Sequence, residues 1–369
     1  MVSHSRYIHC SGGVARAYLI TKNKGSMTTH SPGYKSNRKW SKIITLIQSA
    51  ERFVFSTHAD PDGDGLGSEL ALARWLKRRR KTVHILNPTP MNGIYDFLDP
   101  EGEVQVYDPA SHTEIIKAAD LFIIFDIGDY KRLGDVGIAM SSTGKPLINI
   151  DHHPGDKTQF TLSMDDITAC ATGILVYDLL RHMDDSPMDA WIAEPLYAAI
   201  VNDTGNFRFN NTNPEAHAVA MDLIQTGVEP YAVYMNIYEQ TSRGRVELLK
   251  YTLENLRFSE NGEFAWSVLT QAELDEANAT PDDLTGLSDF LRSIKGVEIG
   301  CSIVALEGES VKISLRSKGK YTVNDIAGKF DGGGHAFAAG AQLDLPLSTA
   351  VEMVVNACLE KVEGLVNAG

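Results

Sequence analysis

Residues 56–76 read STHADPDGDGLGSELALARWL, and this stretch decides how the rest of the chain is read. Asp60, Asp62 and Asp64 stand within five residues, next to His58 and among glycines at 63, 65 and 67. Like charges that close repel unless something positive sits among them. Before the acids runs an apolar strand pattern, RFVFST, and after them a helical one, SELALARWLKRRR, with its start expected near Ser68. A strand that ends in acids and imidazole and turns into a helix is a way to hold a cation.

The same arrangement recurs downstream. TVHIL, DLFIIFDIG and KPLINID are short apolar runs bounded by turn residues and separated by helical patterns, which predicts parallel buried strands of an α/β sheet. LFIIF ends in Asp126, and LINI ends in Asp151, His152 and His153. Open parallel sheets bind ligands beyond the carboxyl ends of their strands. A further acid, Asp203, follows an apolar helix in the stretch IVNDTGNFRF. His58, Asp62, Asp64, Asp126, His152 and Asp203 together suffice for two divalent ions with one shared carboxylate. Mixed imidazole and carboxylate donors suit Mn²⁺ best, with Fe²⁺, Co²⁺ or Zn²⁺ as alternatives, and calcium poorly. Asp60 and Asp151 are assigned supporting roles, as acceptors that fix the imidazole tautomers.

Each of these signals has a plainer reading. The acids near position 60 could cap the following helix, and adjacent histidines could simply close a strand. Four segments in order, each at the end of an element, favour the metal. The glycines at 63, 65 and 67 lack the spacing of a dinucleotide-binding loop, and the aspartates would repel a pyrophosphate.

Helical patterns at about 170–183, 189–202 and 214–227 lead into a helical stretch over 230–257 with a break at Ser242–Gly244. Beyond it, EFAWSVLT, EIGCSIVALEG and SVKISLRS alternate with helices as a second, smaller α/β domain. The boundaries expected are a leader over 1–39, a larger domain over 40–228, a helical linker over 229–255 and a C-terminal domain over 256–369. In that last domain Gly332, Gly333 and Gly334 let backbone N–H groups crowd an anion, and His335 adds a donor. Arg316 and Lys318 end a strand and suit a phosphate or a stacked base. The basic run Lys77–Lys81 reads as a solvated helix end.

Composition narrows the partners. A net charge of −14 argues against a broad basic face for long nucleic acid. The first 26 residues carry four cations and no acid, which leaves 30 cations against 48 acids, a charge of −18, in residues 27–369. Met27 after a Gly-Ser pair suggests that the preceding residues are appended or read from an upstream start, with a targeting peptide or a disordered arm as alternatives. No stretch is long and apolar enough to span a bilayer, and four scattered cysteines fit free thiols in a reducing cytoplasm.

HADPDGDGLGS, the acid in IFDIGD, IDHHPGD and NDTGNFRF resemble, in order, the four metal-binding motifs of the DHH phosphoesterase superfamily. GGGHAFAAGA is similar to the signature of the C-terminal domain that accompanies them in the subgroup with RecJ nucleases and nano-RNases. The resemblance implies one metal on His58, Asp62 and Asp126 and another on Asp64, Asp126, His152 and Asp203. By the same resemblance His153 faces the phosphate, and Arg316 and His335 bind substrate. It implies an enzyme in which two metals activate a water for attack on phosphorus. The substrates implied are short RNA oligonucleotides, about two to five nucleotides long, and adenosine 3′,5′-bisphosphate (pAp). Linear dinucleotides from cyclic dinucleotide signalling are the alternative, and a catalytically inactive nucleotide sensor is the reading from another class. A homodimer is left open. Gly65 stands where many members of the superfamily carry alanine, a departure expected to be without consequence.

Overall fold

The computed structural model describes residues 34–184 and 188–364, and the expected leader lies outside the described residues up to position 33. Two compact units divide the chain, residues 1–233 and 234–369.

The first unit begins with α1 (Ser41–Ser49), β1 (Arg52–Ser56), α2 (Gly63–Arg78) and β2 (Thr82–Asn87). It continues through β3 (Val104–Val106), α3 (Pro109–Ala118), β4 (Leu121–Phe125), α4 (Gly134–Ser141), β5 (Leu147–Asp151) and β6 (Leu162–Asp165). Helices α5 (Thr172–Met183), α6 (Ala190–Asp203) and α7 (Pro214–Gln225) follow, and α8 (Pro230–Tyr238) runs across the division. Among the described residues the strands form one parallel sheet in the order β3-β2-β1-β4-β5-β6. Strands β4 and β5 are buried along their whole length, as apolar runs covered on both faces must be.

Helix α2 starts five residues earlier than its apolar pattern suggests. Asp62 caps it, accepting from the backbone N–H of Asp64 (3.0 Å) and Gly65 (3.3 Å). The three glycines are therefore helical, and neighbours crowd all three. A Cβ at Gly67 would lie 2.2 Å from the Pro195 carbonyl of α6, and one at Gly65 would lie 2.3 Å from Thr57 Oγ1. The alanine of related chains is thus not neutral here, because the Thr57 side chain already fills that space while its hydroxyl donates to the Phe125 carbonyl at 2.9 Å.

Residues 34–39, which the sequence reading placed in the leader, are tied to the first unit. The buried Asp178 accepts from Ser36 N (2.8 Å), Ser36 Oγ (2.5 Å) and Trp40 Nε1 (2.7 Å). Arg38 forks onto Glu215 (2.7 and 3.0 Å) and reaches Asp166 (2.7 Å). At the far end of α2, Lys77 pairs with Glu103 and Lys81 with Glu51, so the basic run is held by acids.

The second unit comprises α9 (Arg243–Glu254), β7 (Arg257–Phe258), β8 (Phe264–Leu269), α10 (Gln271–Glu276) and α11 (Leu287–Ser293). After these come β9 (Ile299–Leu306), β10 (Ser310–Ser317), α12 (Asn324–Gly328), β11 (Gly333–His335), β12 (Ala338–Leu343) and α13 (Leu347–Glu363). Its mixed sheet runs β11-β12-β10-β9-β8-β7, with β8 and β9 parallel and the other pairs antiparallel. α13 closes one face over Ile299, Cys301, Ile303 and Ile313. On the other face α9 contributes Leu248 and Tyr251 to a cluster with Leu269, Leu274 and Val304, so it packs in this core where a linker was expected. No helix among the described residues is long and apolar enough to cross a membrane.

Gly65→Ala is expected to lower stability by about 1–3 kcal/mol through overpacking. Adding Thr57→Ala should recover part of that loss. Urea titration of the two single variants and the pair reads the coupling, and additive effects would place the clash elsewhere.

Candidate metal centre

Three neighbouring strand ends contribute to one cluster beside the carboxyl edge of the parallel sheet. His58 follows β1, Asp126 follows β4, and His152 and His153 follow β5. Asp62 and Asp64 come from the start of α2, and Asp203 is the last residue of α6. Asp126 has φ 55, a left-handed conformation rarely adopted outside glycine and asparagine, which marks a position held by its surroundings.

Asp126 lies between two groups of donors. Its Oδ2 is 3.5 Å from His58 Nε2, and its Oδ1 is 3.4 Å from His152 Nε2 and 3.1 Å from His153 Nδ1. His58, Asp62 and Asp126 bring one ligand atom each close enough to hold an ion, as do Asp64, His152 and Asp203. Asp126, His152 and His153 form a third such group. All six expected metal ligands therefore converge.

The surrounding contacts aim these side chains. His58 Nδ1 faces the Ala59 carbonyl at 2.8 Å and His152 Nδ1 the Ala169 carbonyl at 3.2 Å, which turns both Nε2 atoms toward the carboxylates. Asp64 is fully buried and accepts from the N–H groups of Thr172 (2.6 Å) and Gly173 (2.8 Å) at the start of α5. Asp151 fixes His153, with Oδ1 3.0 Å from both its N–H nitrogen and Nδ1, and pairs with Lys157. Asp60 does not share this role. Its side chain is exposed and its N–H donates to Thr89 Oγ1 at 2.7 Å, so backbone carbonyls supply the contact expected of it.

Charge within the cluster is unbalanced without a cation. Burial and the fields of Asp126 and Asp203 push the Asp62 carboxyl up to about 6, and Asp64 is driven well above the usual carboxylate range for the same reasons. Burial would lower His152, but Asp126 and Asp203 outweigh it and lift the imidazole to about 12. His153, bonded to Asp126 and Asp151, is raised to about 10. Burial also opposes charge on Asp126, yet the three imidazoles hold it well below its ordinary value. Three carboxylate oxygens lie 3.1–3.6 Å from His152 Nε2, but none meets it in hydrogen-bond geometry, and the buried atom has no such partner. Divalent ions fit this donor set: soft-to-borderline nitrogen, hard oxygen and excess negative charge.

Of the five substrate residues expected in the second unit, three line one cavity, and Gly332 and Gly334 are not among its lining. Arg316 on β10, Gly333 and His335 on β11 line one cavity of about 1010 Å³. The glycine run is an edge strand antiparallel to β12, and a Cβ at Gly332 or Gly334 would strike Gly340 O or Ala338 O. Sequence reasoning missed Arg132, whose Nη2 lies 2.9 Å from His58 Nδ1. It also missed the α5 N-terminus, whose partner Asp64 lies over a hundred residues away, and Lys157, which reaches Asp151 only through the turn that follows β5.

Comparison with known proteins agrees with this geometry. Residues 52–200 match the DHH family, N-terminal domain, and residues 262–367 match the DHHA1 domain. A Thermus thermophilus protein, "Bifunctional oligoribonuclease and PAP phosphatase NrnA", is 32% identical over 88% of this chain and 96% of its own length. The chain belongs to the DHH family of phosphoesterases, in its NrnA-like branch. DHH phosphoesterases are metal-dependent hydrolases. The Bacillus subtilis relative with the same description is 28% identical over 82% of this chain and 92% of its own. The crystal structure of an exopolyphosphatase-related protein from Bacteroides fragilis superposes with a TM-score of 0.81 at 27% identity, covering 86% of this chain and 94% of that one.

Protons and divalent ions compete for the cluster, and the raised values set the sign. At pH 7 the metal-free imidazole of His152 holds a proton that an entering ion must displace, whereas His153, expected to face the phosphate, keeps its own. Apparent affinity for Mn²⁺ should rise with pH between about 6 and 8, by roughly tenfold per unit for each proton displaced. Calorimetry in buffers of different ionisation enthalpy counts those protons. Uptake without proton release would contradict the charge balance.

Proposed function

We propose that the chain is a two-metal phosphohydrolase that shortens very short RNA to mononucleotides and removes the 3′-phosphate of pAp. The observation that carries this reading is the place of Asp126, whose two oxygens face separate imidazoles, His58 at 3.5 Å and His152 at 3.4 Å. A carboxylate so placed can serve two ions at once. His58, Asp62 and Asp126 would hold one, and Asp64, Asp126, His152 and Asp203 the other, with Mn²⁺ the best match to mixed nitrogen and oxygen donors. When bound, such a pair supplies Lewis-acid charge and a water that gives up its proton near neutral pH.

The chain's own groups do the rest. His153 is half-exposed and its Nδ1 faces Asp151 and Asp126, so its Nε2–H is free to donate to a phosphoryl oxygen. In the metal-free cluster those acids raise it to about 10, and Asp151, which would hold no ion, still favours the charged imidazole that offsets charge building on phosphorus. The exposed Arg132 beside His58 adds a second cation at the same edge. Arg316 and His335 bind and do not react. The names of the Thermus and Bacillus relatives, both oligoribonuclease and PAP phosphatase, support this choice of substrates. A cytoplasmic location fits the three described cysteines, which are free thiols.

Asp126→Ala should abolish hydrolysis of pAp and of diribonucleotides and weaken binding of both ions. Near-wild-type turnover under limiting metal would refute the bridge. His153→Ala is expected to cut kcat by roughly a hundredfold while elemental analysis still finds two ions. Loss of an ion would instead make His153 a ligand. Asp60→Ala should leave the metal content unchanged.

Substrate length follows from charge. With a net charge of −14, each phosphate beyond the site meets repulsion. We expect kcat/KM to be highest on RNA of two to about five nucleotides and to fall steeply beyond that. Equal efficiency on a dinucleotide and a 24-mer at moderate salt would count against the reading.

A further inference from the structure

Behind the metal centre, Glu69 is a fully buried acid that no step of the reaction uses. It stands on α2, and its Oε2 accepts from Asn87 Nδ2 at 2.9 Å. Asn87 ends β2, and its Oδ1 accepts from the backbone N–H of Thr57 at 3.0 Å. The Thr57 hydroxyl in turn donates to the Phe125 carbonyl at 2.9 Å. Asn87 and Thr57 are fully buried as well. The series of contacts ends beside two of the expected metal ligands, because His58 follows Thr57 and Asp126 follows Phe125.

The register of the sheet explains where these contacts fall. Matched pairs run as far as Phe55–Ile85 between β1 and β2, and Ser56–Ile124 between β1 and β4. Continuing the same register sets Thr57 between Asn87 and Phe125, and there side chains take over from the backbone ladder. That rung is the last before β1 and β4 release His58 and Asp126 into the cluster. Thr57 has little freedom in it, since α2 passes so close that a Cβ at Gly65 would lie 2.3 Å from its Oγ1. Asn87 could turn its amide end for end, but its NH₂ would then meet the Thr57 N–H, donor against donor. Glu69 settles the orientation by taking the NH₂. Burial, opposed by the Asn87 bond and aided by the field of Asp99, pushes its carboxyl up to about 8. At neutral pH it is therefore mainly an uncharged acid whose Oε2 still accepts. Its Oε1 has no hydrogen-bond partner among the described residues, so the side chain bonds Asn87 alone.

We propose that Glu69 and Asn87 are positioning residues for the metal centre. Glu69 orients the Asn87 amide, and Asn87 and Thr57 fasten the ends of β1 and β4. His58 and Asp126 are thereby held 3.5 Å apart, where they can share an ion. This role rests on the two-metal reading above and belongs to residues that touch neither ion nor substrate. Its effect is selective. The relay reaches the group of His58, Asp62 and Asp126, whereas Asp64 and His152 are aimed by the α5 N–H groups and the Ala169 carbonyl. Breaking it should weaken one ion far more than the other.

The test titrates metal-free protein with Mn²⁺ by calorimetry and follows its thermal unfolding. Glu69→Leu fills much the same space and removes the acceptor. It should raise the dissociation constant of one ion at least about tenfold and that of the other less than about threefold. His58→Ala identifies the weakened step, because it removes a ligand of that ion. Glu69→Gln, an uncharged acceptor of the same shape, should restore the wild-type affinity. Melting of metal-free Glu69→Leu should change little, since one partnerless buried atom, Glu69 Oε1, is exchanged for another, Asn87 Nδ2. Thr57→Val breaks the relay at its other end and should weaken the same ion, and it decides the matter if Glu69→Leu does not fold. In the double variant the two losses should not add. Wild-type affinity for both ions in Glu69→Leu and Thr57→Val would overturn the relay and leave the metal reading intact. So would equal weakening of both ions with a large fall in melting temperature, the mark of general loosening. A wild type that takes up no ion would overturn both.

Discussion

Four carboxylates meet around two imidazoles, Asp62 and Asp126 at His58 and Asp64, Asp126 and Asp203 at His152, and burial together with their mutual field raises the proton affinity of Asp62 and Asp64. Such a cluster is unstable as a set of bare charges. Everything near it is arranged to hold it together. Two N–H groups at the start of α5 grip Asp64, backbone carbonyls turn His58 and His152, and Lys157 anchors the Asp151 that orients His153. The parallel sheet makes this possible, because β1, β4 and β5 lie side by side and end at one edge.

A steric constraint works alongside the electrostatic one. Asp62 and Asp64 can reach the cluster only because α2 begins under them and lies against α6. The glycines of its first turns permit that approach: the Pro195 carbonyl would stand 2.2 Å from a Cβ at Gly67, and Asn202 and Tyr95 would stand 3.0 Å from one at Gly63. The residues that raise the chemical question in the opening stretch and the residues that solve the packing problem therefore alternate along one turn of helix.

In the second unit the same economy is reached by leaving something out. One face of the mixed sheet is closed by α13, whereas the other is covered only over part of its width. Small residues along β10 and β12 keep the uncovered part flat, and the edge strand Gly333–His335 brings an imidazole to its rim.

The α/β class, the parallel strands and the convergence of His58, Asp62, Asp64, Asp126, His152 and Asp203 were legible in the sequence. Their signals are local: an apolar run that ends in an acid or imidazole places that residue at a strand end whatever the rest of the chain does. Short or irregular pieces such as β3, β6 and β11 carried too few residues to show a period. The start of α2 was misjudged because apolar periodicity begins at the buried face, while the helix itself begins at the Asp62 cap. Asp60 and Asp62 look alike as letters, yet one caps a helix inside the cluster and the other, at φ 58, points to solvent. Only the tertiary structure could separate them, and only it could bring Arg132 to His58 and Thr172 to Asp64. Those contacts join residues 74 and 108 positions apart, and no local pattern encodes which distant group will arrive.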